Sequence, residues 1–225
     1  MATVLMVRHG QAAFGSDHYD RLSDRGRQQA RWLGEHLAAL GHAPVRAVAG
    51  TLARQRDTAV EILHAMGLSQ SVRLQQDAGL NEYDGDSIYR AHTAGADQLE
   101  HQRRDFRDYW RTFRAAMQRW SDNDLVGVTE SWGEFGARVR RAVDEVCAGS
   151  AREDILLVVS SGGAIGRLIA DLLGAPAQAA IELNLQCRNT GLCELIAGRD
   201  TLRVMSFNGI AHLSQPERHH AITYA

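Results

Sequence analysis

The chain contains no lysine. Its 25 basic side chains apart from histidine are all arginines, set against 27 acidic residues. The net charge of −2 argues against the broad positive field of a general nucleic-acid binder. Codon bias explains an arginine excess as a whole, yet the planar guanidinium fork also suits phosphate recognition. Cysteine is scarce as well. Cys147, Cys187 and Cys193 follow no regular spacing and leave one thiol over. That excludes a disulfide framework and points to reduced thiols in the cytoplasm. There is no His-Glu-x-x-His and no paired Cys-x-x-Cys, so no metal cluster is expected. No run of 18 apolar residues occurs, so no membrane-spanning helix is expected. The opening MATVLMVRHG is short and has no basic leader. It reads as a first strand, not a signal peptide.

What is present is an alternation of strand and helix signals, which predicts an α/β layer architecture. TVLMV (3–7) reads as a buried strand. A helix over 23–40 follows, capped by Ser23, with Leu33, Leu37 and Leu40 on one face and Gly41 after it. Residues 45–50 read as a second strand, 52–66 as a helix stopped by Gly67, and 72–75 as a third strand. ILLVV (155–159) is the clearest buried strand, and a helix over 164–174 ends at Gly174 and Pro176. A helix over 131–149 precedes that strand, with Ser131 as its cap, and residues 192–197 and 202–207 read as a hairpin.

The stretch 87–130 interrupts the alternation. In it Phe106, Trp110, Phe113, Met117 and Trp120 recur at steps of 4, 3, 4 and 3, which marks one apolar face of a helix. Core packing is the expected use of that stripe, with Arg103, Arg104, Arg107 and Arg111 on its solvated side. The expected fold is a three-layer sandwich: a mostly parallel central sheet, helices on both faces, and a helical insertion near 87–130 in one domain spanning 1–225. The insertion is expected to cover the site like a lid. The tail with His219 and His220 is expected to fray.

In open α/β sheets, ligands bind outside the carboxyl ends of the strands. Four such ends carry polar residues: Arg8-His9-Gly10, then Thr51 and Arg54, then Glu82 in GLNEYDG, then Ser160-Ser161-Gly162-Gly163. Two guanidiniums bind phosphate oxygens. A glycine-rich helix start favours an anion. An imidazole beside a phosphoryl group can act as nucleophile, and a carboxyl group can protonate the leaving oxygen. The set suits phosphoryl transfer through a phosphohistidine, with no metal or cofactor required because the arginines supply the positive field.

These motifs, in this order, resemble the histidine phosphatase, or phosphoglycerate mutase-like, superfamily. VRHGQ (7–11) is similar to its RHG signature, LSDRGRQQA (22–30) to its Leu-Ser/Thr-x-x-Gly-x-x-Gln-Ala segment, and LARQRDTA (52–59) to its Leu-x-Arg-Ala-x-x-Thr-Ala, with Gln55 in place of alanine. LNEYDG (80–85), ESWGEFGARV (130–139), RNTG (188–191) and FNGIAHL (207–213) match further segments. The resemblance implies that His9 takes the phosphoryl group, that Arg8 and Arg54 hold its oxygens, and that Glu82 is proton donor and then base. Gln11, Ser16, Ser161 and Gly162 are the further candidate phosphate or substrate ligands.

The departures are as informative as the matches. In VVSSGG (158–163), Ser161 stands where the family has a second histidine. Gly15 stands where many members have asparagine, and Gly50-Thr51 replaces a common Ser-Pro. A serine hydroxyl still donates one hydrogen bond but brings no charge. Losing one preorganised donor costs about 10²–10³ in rate, so a slow phosphatase is expected. His212 and His92 are candidates to replace the missing imidazole. The alternatives are a phosphate-binding or regulatory pseudoenzyme, a phosphoglycerate mutase-type phosphotransferase, and a serine hydrolase. The last conflicts with Val158 and Val159, which stand where a nucleophile elbow wants glycine. The expected partner is a small phosphorylated molecule or a phosphoprotein, with no nucleic acid, no membrane, and a homodimer as one option.

Overall fold

The computed structural model describes residues 1–13, 20–95, 105–199 and 201–224. Six strands form one sheet: β1 (Ala2–Arg8), β2 (Arg46–Ala49), β3 (Leu74–Gln76), β4 (Ile155–Ser160), β5 (Leu192–Ala197) and β6 (Leu202–Gly209). Their order is β3-β2-β4-β1-β5-β6. β3, β2, β4 and β1 run parallel, while β5 pairs antiparallel with β1 and with β6. The sheet is mostly parallel, as the alternation predicts.

Among the described residues, seven helices accompany it: α1 (Asp24–Ala39), α2 (Ala53–Ala65), α3 (Gly85–His92), α4 (Phe106–Ser121), α5 (Trp132–Cys147), α6 (Gly162–Leu172) and α7 (Ala177–Gln186). The pleat sends alternate residues to opposite faces. Leu5 and Val7 of β1, with Leu157 and Val159 of β4, pack against Leu33, Leu37 and Ile62 of α1 and α2. Val4, Met6, Leu156 and Val158 pack on the other face with α4, α5 and α6. Strands buried on both faces read as continuous apolar runs, which is why ILLVV stands out. The helix starts are local chemistry. Ser23 accepts from the Gly26 N–H, and Ser131 and Glu134 form a reciprocal capping box.

The aromatic stripe is core. Phe113, Met117 and Trp120 are buried, and Trp120 packs edge-on against Trp132 at 5.0 Å. Arg107 and Arg111 lie on the exposed side; Arg103 and Arg104 fall outside the described residues, as do Gly15 and Ser16. The described part of the insertion stacks behind Tyr83, which meets Trp120 at 5.2 Å and Phe135 at 5.6 Å.

The helix before Gly174 and Pro176 ends at Leu172, as expected. Pro176 then serves as the N-cap of α7, an element that weak amphipathicity hides from periodicity. One expectation needs correction. The C-terminal tail does not fray: Pro216–Ala221 forms a 3-10 helix, Ala221 is buried, and the Asn189 N–H donates to the Thr223 carbonyl at 2.9 Å. His219 and His220 are exposed on it. Among the described residues, no helix is long and apolar enough to cross a membrane.

Candidate active site

The β1–β4 register pairs Arg8 with Ser160, and the His9 N–H donates to the Ser160 carbonyl at 2.9 Å. His9 and Ser161 therefore follow side by side at the strand ends. On the other side of β4, the Gly50 N–H donates to Val159 at 3.1 Å, which launches the chain into α2 and brings Arg54 over the same end.

His9 is 6% exposed. Its Nδ1 lies 2.7 Å from the Gly10 carbonyl. A carbonyl only accepts, so Nδ1 carries the proton and Nε2 of the neutral ring keeps its lone pair. Arg54 Nε donates to that Nε2 at 3.1 Å. Burial first, then the charges of Arg54 and Arg8, hold the imidazole well below its ordinary pKa, against a smaller opposing effect of the Gly10 bond. The ring is therefore neutral and nucleophilic at physiological pH.

Further contacts hold the ring's backbone. The Gly10 N–H donates to Thr58 Oγ1 at 3.0 Å, and Asn189 Nδ2 donates to the His9 carbonyl at 3.2 Å. The Thr190 N–H lies within reach of the Arg8 and His9 carbonyls, at 3.1 and 3.3 Å. Gly10 itself is a matter of space, because a Cβ there would overlap the Gly26 backbone of α1.

The two arginines are held differently. Arg54 Nη1 pairs with Asp20 at 2.7 Å, and Asp20 also accepts from the Ala53 N–H at 2.8 Å. Arg8 Nη1 donates to the Cys187 and Tyr224 carbonyls. Arg8 Nε is buried and has no acceptor among the described residues. It faces the start of α6, beside the place a Gly162 Cβ would take. An orphaned buried guanidinium donor next to a helix N-terminus is a strong invitation to an anion.

Glu82 completes the group. Its Oε2 accepts from the Gly163 N–H at 2.9 Å. A Cβ at Gly163 would collide with this carboxylate and with the Tyr83 ring, which explains a glycine inside the first turn of a helix. Burial, only partly offset by the Gly163 bond and the two arginines, raises the Glu82 carboxyl above its ordinary value. Beneath it, Asn184 Nδ2 donates to the Tyr83 hydroxyl at 2.8 Å.

The remaining candidates divide. Ser161 is fully buried and accepts a bond from Gln55 Nε2 at 2.8 Å. Gln11 turns toward α1, where its Oε1 accepts from Ser23 Oγ at 3.1 Å; it steadies the loop after His9. His212 and His92 are not beside Ser161. His212 is buried against Thr190 Oγ1 at 2.9 Å, with its ring 6.4 Å from that of His36. His92 sits at the end of α3, where burial and then the Arg119 charge lower its pKa. Asp20, which holds Arg54, has no mark in the sequence. Thr58 and Asn189 lie within LARQRDTA and RNTG, but their roles rest on contacts 48 and 180 residues apart, which no local pattern reveals.

Burial lowers the His212 pKa to about 3. The unfolded chain, near 6.5, takes up this proton first as pH falls. Stability from a neutral His212 is thus complete above 6.5 and drains by about 1.4 kcal/mol per pH unit toward 3. Denaturant melts of His212→Gln at pH 7 and 5 should show an acid loss about 2 kcal/mol smaller than wild type. An unchanged loss would mean that His212 is already charged in the fold.

With this geometry in place, the kinship is unambiguous. The model of the histidine phosphatase superfamily (branch 1) matches residues 4–209. The chain is 29% identical over 198 residues to "Probable phosphoglycerate mutase GpmB" of Erwinia tasmaniensis, covering 85% of this chain and 83% of that one. The phosphoglycerate mutase structure from Bacillus anthracis shares the fold, with a TM-score of 0.67 at 20% identity over 94% of both chains. A mycobacterial glucosyl-3-phosphoglycerate phosphatase in complex with VO3 gives a TM-score of 0.65 at 25% identity, over 92% of this chain and 99% of that one. The match of one family model to nearly the whole chain decides the assignment: this protein belongs to the histidine phosphatase superfamily.

Proposed function

We propose that the protein is a phosphomonoester phosphatase that works through a phosphohistidine at His9. The observation that carries this reading is the His9 ring itself. It is neutral, with Nδ1–H committed to Gly10 and the Nε2 lone pair facing Arg54. In the first step Arg54 Nε passes its hydrogen bond from Nε2 to a phosphoryl oxygen, and the freed Nε2 lone pair attacks phosphorus while the phosphorus–oxygen ester bond breaks. Glu82, whose hold on a proton burial strengthens, gives its proton to the departing alcohol oxygen. Arg8 Nε, Arg54 and the start of α6 hold the phosphoryl oxygens. In the second step the Glu82 carboxylate takes a proton from water, the oxygen attacks phosphorus, and the nitrogen–phosphorus bond breaks. Inorganic phosphate leaves and His9 and Glu82 return to their starting states.

Hydrolysis is preferred over transfer to a second acceptor because Ser161, in place of the family's second histidine, adds no positive charge to retain a phosphoryl group. The substrate is a small phosphorylated molecule or a phosphoprotein. Rapid quench with ³²P-labelled substrate should trap an acid-labile, base-stable phosphoenzyme that decays to free phosphate. No phosphoenzyme at saturating substrate would overturn the reading. A rephosphorylated isomer with little free phosphate would establish a mutase instead.

A further inference from the structure

Gln55 and Ser161 lie on different elements, both fully buried, and their hydrogen bonding admits one arrangement. Gln55 Nε2 reaches the Leu80 carbonyl at 3.2 Å. A carbonyl only accepts, so this end of the amide is the NH₂ group and the flip is decided. The same nitrogen meets Ser161 Oγ at 2.8 Å, so Ser161 must be the acceptor there. Ser161 is also the N-cap of α6, yet its side chain makes no capping bond. Its neighbour Ser160 spends its own proton on Leu80, at 2.7 Å. The Ser161 hydroxyl proton has no acceptor among the described residues, and its residue adjoins the α6 start that Arg8 Nε faces.

We infer that Gln55 is a positioning residue: it fixes Ser161 as an acceptor on one side so that the hydroxyl proton is delivered to a phosphoryl oxygen on the other. The inference rests on the phosphatase reading and names how its altered corner works. Gly50 belongs to the device, because a Cβ at Gly50 would overlap Gln55 Oε1 and Cδ and push the amide off Ser161. Gln55 Oε1 is buried with no hydrogen-bond partner among the described residues, so the amide is kept at a cost that packing alone does not explain. The three residues form a unit. An imidazole at position 161 that followed the course of the Ser161 hydroxyl would run into the Gln55 amide, 2.8 Å from the Ser161 oxygen.

The test is a set of variants assayed on 4-nitrophenyl phosphate, with thermal melts to confirm folding. Ser161→Ala should lower kcat about 10²-fold, and Ser161→Thr, which keeps the hydroxyl, should recover most of it. Gln55→Ala and Gly50→Ala should each lower kcat about tenfold with little change in KM, since both release the same hydroxyl. Ser161→His alone should give no gain. Gln55→Ala/Ser161→His should exceed both single variants and acquire a new pH limb near the ordinary histidine pKa of about 6.5, the coupled behaviour of residues in contact. Wild-type kcat in folded Gln55→Ala or Ser161→Ala, or a gain from Ser161→His alone, would overturn the inference. If wild type itself turns over no phosphoester, the phosphatase reading fails separately. Inorganic phosphate affinity then decides: Ser161→Ala and Gly50→Ala should each weaken it about tenfold, and unchanged affinity would overturn the inference.

Discussion

Alanine in place of His9 is expected to abolish the phosphoenzyme and lower kcat by about 10⁴–10⁶-fold, the range seen when a covalent nucleophile is removed. The size follows from what remains. No other group among those converging on the strand ends offers a free nitrogen lone pair: the arginines are always charged, Gln55 and Asn189 carry amides, and Ser161 has no base to activate it. Phosphate binding should survive. Arg8 Nε still faces the start of α6, and Arg54 loses an imidazole acceptor but keeps its place above the strand ends through Asp20. Affinity for inorganic phosphate should therefore stay within about threefold while turnover disappears, the split expected of a group used in the transition state. Calorimetry alongside rapid quench makes the comparison. If His9→Ala keeps turnover and still forms a covalent intermediate, the nucleophile lies elsewhere. If it loses binding and turnover together, His9 serves to build the pocket.

The parts of this site that sequence made legible are those written in local chemistry. Strand β1 announces itself by apolar continuity, α1 by Ser23, and α5 by Ser131. Arg8, His9, Arg54 and Glu82 were visible because Arg8 ends a strand and the others follow strand ends, where a parallel sheet gathers its ligands. The paired glycines after Ser161 were legible as an anion-favouring turn. Their deeper reason was not, since it is the volume of Glu82 and Tyr83, about 80 residues away in sequence, that forbids a side chain at Gly163.

Long-range polar contacts set the remainder. Gln55 looked like a minor departure from a helix motif, and only the fold brings it against Ser161. Asp20 belongs to no motif, and it orients Arg54. Tail residues 221–224 carried no catalytic signal at all. They wrap back through Gln29 to Ala221, Asn189 to Thr223 and Arg8 to Tyr224, so a segment with no periodicity helps to aim the first arginine. Hydrogen bonds of this kind have no period and no fixed spacing, and periodic patterns are what a lone sequence displays.

Glutamine in place of Glu82 should have the second large effect, and its signature is chemical. The amide oxygen can still accept the Gly163 N–H, so the start of α6 is preserved. What is lost is the proton. With an alkyl phosphate, whose alkoxide leaves poorly, kcat should fall about 10²–10⁴-fold. With 4-nitrophenyl phosphate, whose phenolate leaves unaided, the first step should persist while the second, which needs the carboxylate as base, stalls. The variant should then release a burst of nitrophenol equal to the active sites and hold the phosphoenzyme on His9. The pH dependence follows from the same two groups. His9 must be neutral, and its pKa lies well below 6.5, so activity rises as pH climbs through that low value. Glu82 must be protonated, and its pKa lies above 4.5, so activity falls as pH climbs through that raised value. Wild-type kcat on an alkyl phosphate should fall as pH climbs past the raised Glu82 value, and Glu82→Gln should lose that descending limb. An equal loss on alkyl and aryl substrates with no burst would show that Glu82 orders the turn at Gly163 without moving a proton, and the donor would have to be sought among groups that the present geometry keeps apart from the leaving oxygen.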